Sequence, residues 1–381
     1  MAGKRFTVAA TVLAGLAIGV SACGSSSAPQ PARNLEARVQ WAPAIAAPSR
    51  STRSRGGAVV EAASASARKA AKHDYLAYVA LGTANKVAVA SLATARITGT
   101  IADDAGQSVA VTPSDSTVYI ADTGRFDVLA YDVSTRKSTR IKVGPYPRDV
   151  AISPAGDLLY AAVTGGDTGP GGSDKVAVIS TGTNKVTGGI RVGNAPRQVV
   201  FSPDGGYAYV TTQDGIYVID VASSSVARVF RAPRSDPQGP QGIAVSADGK
   251  TLYVTYPAAN TVRELNAATG ASLGRKTTGA EPYAVTVAGA SLYVADMNED
   301  EVSVLSTATG KVTRTIAVGR LPMSIAATPD GSQVWVGNGL SGSVSVISVA
   351  SGRVIATIGG GPGTATLDAA PLGIAFAKAP F

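Results

Sequence analysis

An aromatic marker recurs every 40 to 49 residues, a tight turn stands before several of these markers, and β-branched residues alternate along the strands after them. Together these predict an all-β fold, a seven-bladed β-propeller of four-stranded antiparallel blades. The markers are Tyr78, Tyr119, Tyr160, Tyr209, Tyr253, Tyr293 and Trp335, with spacings of 41, 41, 49, 44, 40 and 42. A Gly-rich insertion over 165–173 explains the longest spacing. Most units lie near 40–45 residues, the size of one propeller blade.

Within a unit the elements follow in order. A first strand ends on a turn such as Ser202-Pro203-Asp204-Gly205, echoed at Ser153-Pro154-Ala155-Gly156, Ser246-Ala247-Asp248-Gly249 and Thr328-Pro329-Asp330-Gly331. Pro presets φ, Asp bonds to nearby backbone, and Gly takes the dihedral other residues resist. The second strand carries the aromatic marker. The third alternates, as in Gly215-Ile216-Tyr217-Val218-Ile219-Asp220 and Ser343-Val344-Ser345-Val346-Ile347. The fourth closes on Val-Gly, as at Gly144, Gly193 and Gly319. The last segment, Pro371 to Phe376, reads as a first strand with no second strand after it, and Tyr75 to Ala80 reads as a second strand with no first. The C-terminal strand is therefore expected to complete blade 1 and close the ring, burying Ile374 and Phe376.

Ahead of the repeats, Lys4 and Arg5 precede an apolar run, Val8 to Val20, too short to span a bilayer. The segment Val20-Ser21-Ala22-Cys23 resembles the lipobox of bacterial lipoproteins, which implies cleavage before Cys23 and lipid attachment to it. Cys23 is the only cysteine, so no internal disulfide is available to it. Residues 1–22 are thus expected to be a lipoprotein signal peptide and 23–74 a lipidated, disordered basic tether. Residues 75–381 form the propeller. The expected location is the extracytoplasmic face of the cell membrane, with the membrane reached through Cys23.

The net charge of +8 belongs to the leader. Residues 1–76 hold 10 basic and 3 acidic residues, leaving 24 and 23 for the remainder. A near-neutral propeller lacks the basic footprint that phosphate backbones require, which weighs against nucleic acid. The single histidine, His73, lies before the first strand. The propeller therefore lacks the usual general base and the commonest metal ligand, and no cofactor is implied.

The blade around Pro240-Gln241-Gly242-Ile243-Ala244-Val245 and Leu252-Tyr253-Val254-Thr255 resembles the YVTN β-propeller repeat family. That resemblance runs over about residues 75–381. It departs where Trp335 replaces Tyr and where Gly106 stands for the leading Pro. It implies the propeller fold without fixing a function, since propellers host hydrolases, dehydrogenase subunits and binding scaffolds.

Two places carry candidate chemistry. The run Asp296, Asn298, Asp300 offers oxygen ligands of the kind Ca²⁺ takes, without the spacing of a known calcium loop; a solvated acidic loop explains it as well. The other is the residue after each leading Pro or its equivalent: Gln107, Arg148, Arg197, Gln241, Tyr283, Met323 and Leu372. These seven are expected to ring one mouth of the central channel. Loops between second and third strands open on the same face and bring Arg125, Phe126, Tyr256 and Asn338. A polar, aromatic, Arg-bearing rim suits binding; simple capping of a water-filled channel suits it equally. The alternative to an acidic ligand between Arg148 and Arg197 is that Asp149 and neighbouring carboxylates neutralise both. The chain is read as a monomeric binding or scaffold module for an envelope protein or a small acidic ligand. The alternatives are a lactonase-like hydrolase and the non-catalytic subunit of an extracytoplasmic dehydrogenase.

Overall fold

The computed structural model describes residues 75–82, 84–103, 105–165, 174–360 and 370–378. The segments expected to be signal peptide and tether, with Cys23 and His73, and most of the 165–173 insertion lie outside the described residues. The described residues form seven four-stranded antiparallel sheets arranged as blades in a ring. Blade 2 shows the common plan: Gly106–Val111 innermost, then Thr117–Asp122, Asp127–Asp132 and Ser138–Lys142 outermost. Among the described residues the only helical element is one 3-10 turn, Pro257–Ala259.

Closure occurs as the sequence predicts. Strand Pro371–Lys378 pairs antiparallel with Tyr75–Leu81, setting Phe376 opposite Ala77 and Ile374 opposite Val79. The C-terminal strand is therefore the inner strand of blade 1, and it covers the edge that Tyr75–Leu81 would otherwise expose. Burial differs from the expectation in degree. Ile374 and Phe376 are half-buried, because an inner strand packs one face between blades and turns the other toward the channel. The Phe376 ring meets Trp335 of blade 7 edge-on, with centroids 5.7 Å apart.

The core lies between blades rather than within them. Seven apolar clusters occupy the seven blade interfaces. In blades 2 to 7 the second strand is buried on both faces after its first residue, so its apolar residues run on without alternation. All seven aromatic markers are core residues, exposed by 6% or less. The turn aspartates do as their sequence predicts. Asp204 Oδ1 accepts from the Ser202 hydroxyl (2.5 Å) and the Gly206 N–H (3.0 Å), and Asp248 and Asp330 repeat the arrangement.

Candidate functional site

The seven ring residues share one backbone device. In blade 3, Pro147 lies opposite Val163 and Asp149 opposite Ala162, so Arg148 is an extra residue in the ladder. The same shift leaves Gln107, Tyr283, Met323 and Leu372 as extra residues in their blades. In blade 4 the Arg197 N–H donates to the Thr211 carbonyl while Thr211 N–H donates to Gln198, and Gln241, Gly242 and Thr255 repeat this in blade 5. All seven are therefore β-bulge residues. A bulge bends its strand and re-aims a side chain, and here it does so seven times at one end of the channel. Loops between second and third strands open at that end, since Pro282 pairs with Asp296 and Pro322 with Asn338.

In four blades the chain reaches the bulge through a strained step. Tyr146, Ala195, Glu281 and Leu321 precede the leading prolines of blades 3, 4, 6 and 7 with φ of 45°, 50°, 53° and 58°. A non-glycine residue in this region costs energy, and one before proline is pushed toward extended conformations instead. Hydrogen bonds hold three of these steps: Asp174 Oδ2 accepts from Ala195 N–H (2.9 Å), Asn260 Oδ1 from Glu281 N–H (3.0 Å), and Asp300 Oδ1 from Leu321 N–H (2.8 Å).

Four consecutive blades bring their ring side chains together. Burial holds the Arg197 guanidinium below its usual pKa; the like charge of Arg148 acts in the same sense, against Tyr283 and Asp236. Arg197 Nη1 donates to the Pro240 carbonyl at 2.9 Å, which ties blade 4 to blade 5. Burial raises the Tyr283 phenol, opposed by Arg197, Arg148 and a hydrogen bond with the Gln241 side chain. Tyr283 thus stays protonated at neutral pH and can donate. Arg148 is exposed, whereas Arg197, Gln241, Tyr283, Met323, Leu372 and Gln107 are half-buried.

Asp149 does not neutralise the two arginines. Its Oδ1 accepts from the Ser108 hydroxyl (2.5 Å) and its Oδ2 from the Val199 N–H (2.8 Å), so one carboxylate joins blades 2, 3 and 4. Among the described residues no ion pair links it to Arg148 or Arg197. Similar bonds continue around the ring: Gln198 Oε1 accepts from Ile243 N–H (2.8 Å), Thr255 Oγ1 donates to the Tyr283 carbonyl (3.0 Å), and Ser324 Oγ to the Pro371 carbonyl (3.1 Å). This belt lies next to the ring and fixes it. At Gly242 the inner strands are so close that a Cβ would lie 2.6 Å from the Tyr283 carbonyl oxygen.

Other rim candidates divide. Arg125 and Phe126 are exposed, and the Phe126 ring stacks edge-on against Tyr146 with centroids 5.2 Å apart. Tyr256, Asp296 and Asn338 are instead buried beneath the loops. Tyr256 packs against the Arg263 guanidinium at 4.8 Å, and Asn338 Nδ2 donates to the Ser343 and Ser345 hydroxyls. Asn298 is exposed. Among the described residues no group of three or more His, Cys, Asp or Glu side chains is arranged to hold a metal ion.

Sequence reasoning missed an ionic cluster in blade 2. Arg140 Nη1 lies 2.9 Å from Asp122 Oδ2 and 3.0 Å from Asp127 Oδ1, with both carboxylates fully buried. Asp103, 5% exposed, stands near Asp122 and neither of its oxygens has a hydrogen-bond partner among the described residues. The only signal was an acidic residue at each end of a second-to-third-strand loop, which is also a turn signature. Tyr146 was missed too, since nothing local marks it as exposed.

The ring and its mouth define the class: a seven-bladed propeller with a polar, arginine-bearing channel opening. The chain matches no protein-family profile and no curated protein. Among solved structures it is similar to Kuenenia stuttgartiensis hydrazine synthase, at 22% identity and a TM-score of 0.64, over 71% of this chain and 91% of that one. It is also similar to a protein of unknown function from Desulfotomaculum acetoxidans, at 16% identity and a TM-score of 0.65, over 80% of this chain and 99% of that one. At these identities the likeness is one of fold.

Proposed function

We propose that this chain is a lipid-anchored envelope propeller that binds or scaffolds without catalysing, and that it holds an acidic ligand or partner side chain at the channel mouth. One observation carries the reading. Arg148, Arg197, Gln241 and Tyr283 occupy equivalent bulges in consecutive blades and act on one another electrostatically. Two guanidinium groups brought this close repel, and an anion between them relieves the repulsion through charge-assisted hydrogen bonds. Asp149, the nearest carboxylate in sequence, is engaged elsewhere. The lipobox-like segment at Cys23 and the YVTN-like repeats support placing such a module outside the cytoplasm.

The test is capture of envelope partners by the full chain. Arg148→Gln with Arg197→Gln should abolish capture, and Asp204→Asn with Asp248→Asn, on the opposite face, should not. The reverse result would place the working surface at the other end.

A further inference from the structure

The bulge register sorts the mouth into a longer polar arc and a shorter apolar one. Blades 2 to 6 present Gln107, Arg148, Arg197, Gln241 and Tyr283, all polar and without an acidic member. Blades 7 and 1 present Met323 and Leu372 from the same bulge position. In a seven-membered ring the junction of blades 7 and 1 lies across the channel from blade 4, which carries Arg197. Arg197 thus stands on the opposite side of the ring from this apolar pair, with Arg148 one blade away. Both apolar side chains are half-buried and set against backbone: the Met323 sulfur lies 2.9 Å from where a Cβ on Gly339 would stand, and Leu372 crowds Gly82 in the same way. They are thus supported from behind and present a fixed apolar surface.

We infer that the mouth takes a small amphiphilic anion, a carboxylate or phosphate monoester on a compact apolar body. This rests on reading the mouth as an anion site and narrows what that anion is. The anionic group would lie between Arg148 and Arg197 and accept from the Tyr283 hydroxyl. The apolar body would cover Met323 and Leu372, removing their surface from water. A purely hydrophilic anion leaves the apolar pair wet, and a neutral apolar molecule places no anion between the two guanidinium groups. Complementarity in both charge and polarity selects for a molecule that carries both features.

The experiment is titration of the full chain with phenylacetate, acetate and benzyl alcohol, followed by calorimetry or ligand-observed NMR. Phenylacetate should bind at least about tenfold more tightly than either of the others, the ratio that about 1.4 kcal/mol of extra contact produces. Met323→Ser with Leu372→Ser should reduce phenylacetate to the level of acetate. Arg148→Gln with Arg197→Gln should reduce it to the level of benzyl alcohol. Comparing the three probes on the unaltered chain is decisive even if a variant fails to fold. Equal affinity for acetate and phenylacetate would overturn the amphiphile inference and leave the anion site standing. Equal affinity for benzyl alcohol and phenylacetate would overturn both, as would failure of all three to bind.

Discussion

The Ser108 hydroxyl donates to Asp149 Oδ1 at 2.5 Å, from the inner strand of blade 2 to that of blade 3. The other oxygen of the same carboxylate accepts from Val199 N–H in blade 4. Removing the hydroxyl should leave Asp149 with its backbone partner and take only a long acceptor, at 3.4 Å, from Val150 N–H, whereas removing the carboxylate takes the 2.8 Å acceptor from the buried Val199 N–H. Ser108→Ala should cost about 1 kcal/mol and Asp149→Ala about 2–3 kcal/mol. Urea unfolding of each variant measures this, and equal costs would show that the Val199 bond carries no weight.

Ring closure depends on the contact of Phe376 with Trp335 and on the pairing of Pro371–Lys378 with Tyr75–Leu81. Phe376→Ala should destabilise by about 2–3 kcal/mol, toward the low end for aromatic truncation because the ring is half-buried. Deleting residues 371–381 should expose the Tyr75–Leu81 edge and cause aggregation. A truncated chain that stays monomeric in sedimentation and melts as before would show that closure is not made by this strand.

Buried carboxylates set a pH dependence. Burial, with the Asp122 carboxylate beside it, pushes Asp103 up to about 6. Burial also pushes Asp296 to about 6, against hydrogen bonds from Ser303 and Thr278. Unfolded, both titrate near roughly 3.9. The folded chain therefore holds these protons more firmly, so their stabilisation is full below about 3.9 and is lost as pH rises through about 6. The turn aspartates Asp204, Asp248 and Asp330 act in the opposite sense, since hydrogen bonds lower them; they matter only as pH falls below the ordinary carboxylate range. The urea midpoint should fall between pH 4.5 and 7, and Asp103→Asn should flatten that fall. An unchanged slope in the variant would remove Asp103 from the account.

Membrane attachment is expected to pass through Cys23. Cys23→Ala should move the chain from the detergent phase to the aqueous phase with an unchanged circular dichroism spectrum. Retention in the detergent phase would shift the attachment to the basic residues that follow.

The mouth was legible in part. Aligning first strands picks out Arg148, Arg197, Gln241 and Tyr283 as equivalent, because a repeat protein places equivalent residues in equivalent surroundings. Their bulged backbone was not legible, since an extra residue in a ladder depends on the strand beside it. Tyr256 and Asn338 show the reverse error. They fall at the loop end of a second strand, as a rim residue would, yet Arg263 covers one and the hydroxyls of Ser343 and Ser345 hold the other.

By itself, the sequence determined the blade count, the strand order, the turns and the closing strand. These follow from local chemistry: alternation with period two, Pro and Gly dihedrals, and a marker whose spacing counts the units. Only the tertiary structure decided how charge is placed. Asp149 reads like a partner for Arg148 next to it, but neighbours on a strand point apart, and the bulge gives Arg148 to the channel and Asp149 to the next blades. Asp103 and Asp122 are 19 residues apart and share one buried site because blade 2 folds its connection back over its own loop. The cost of burying a charge depends on what surrounds it, and in a ring of blades those surroundings come from residues tens of positions away.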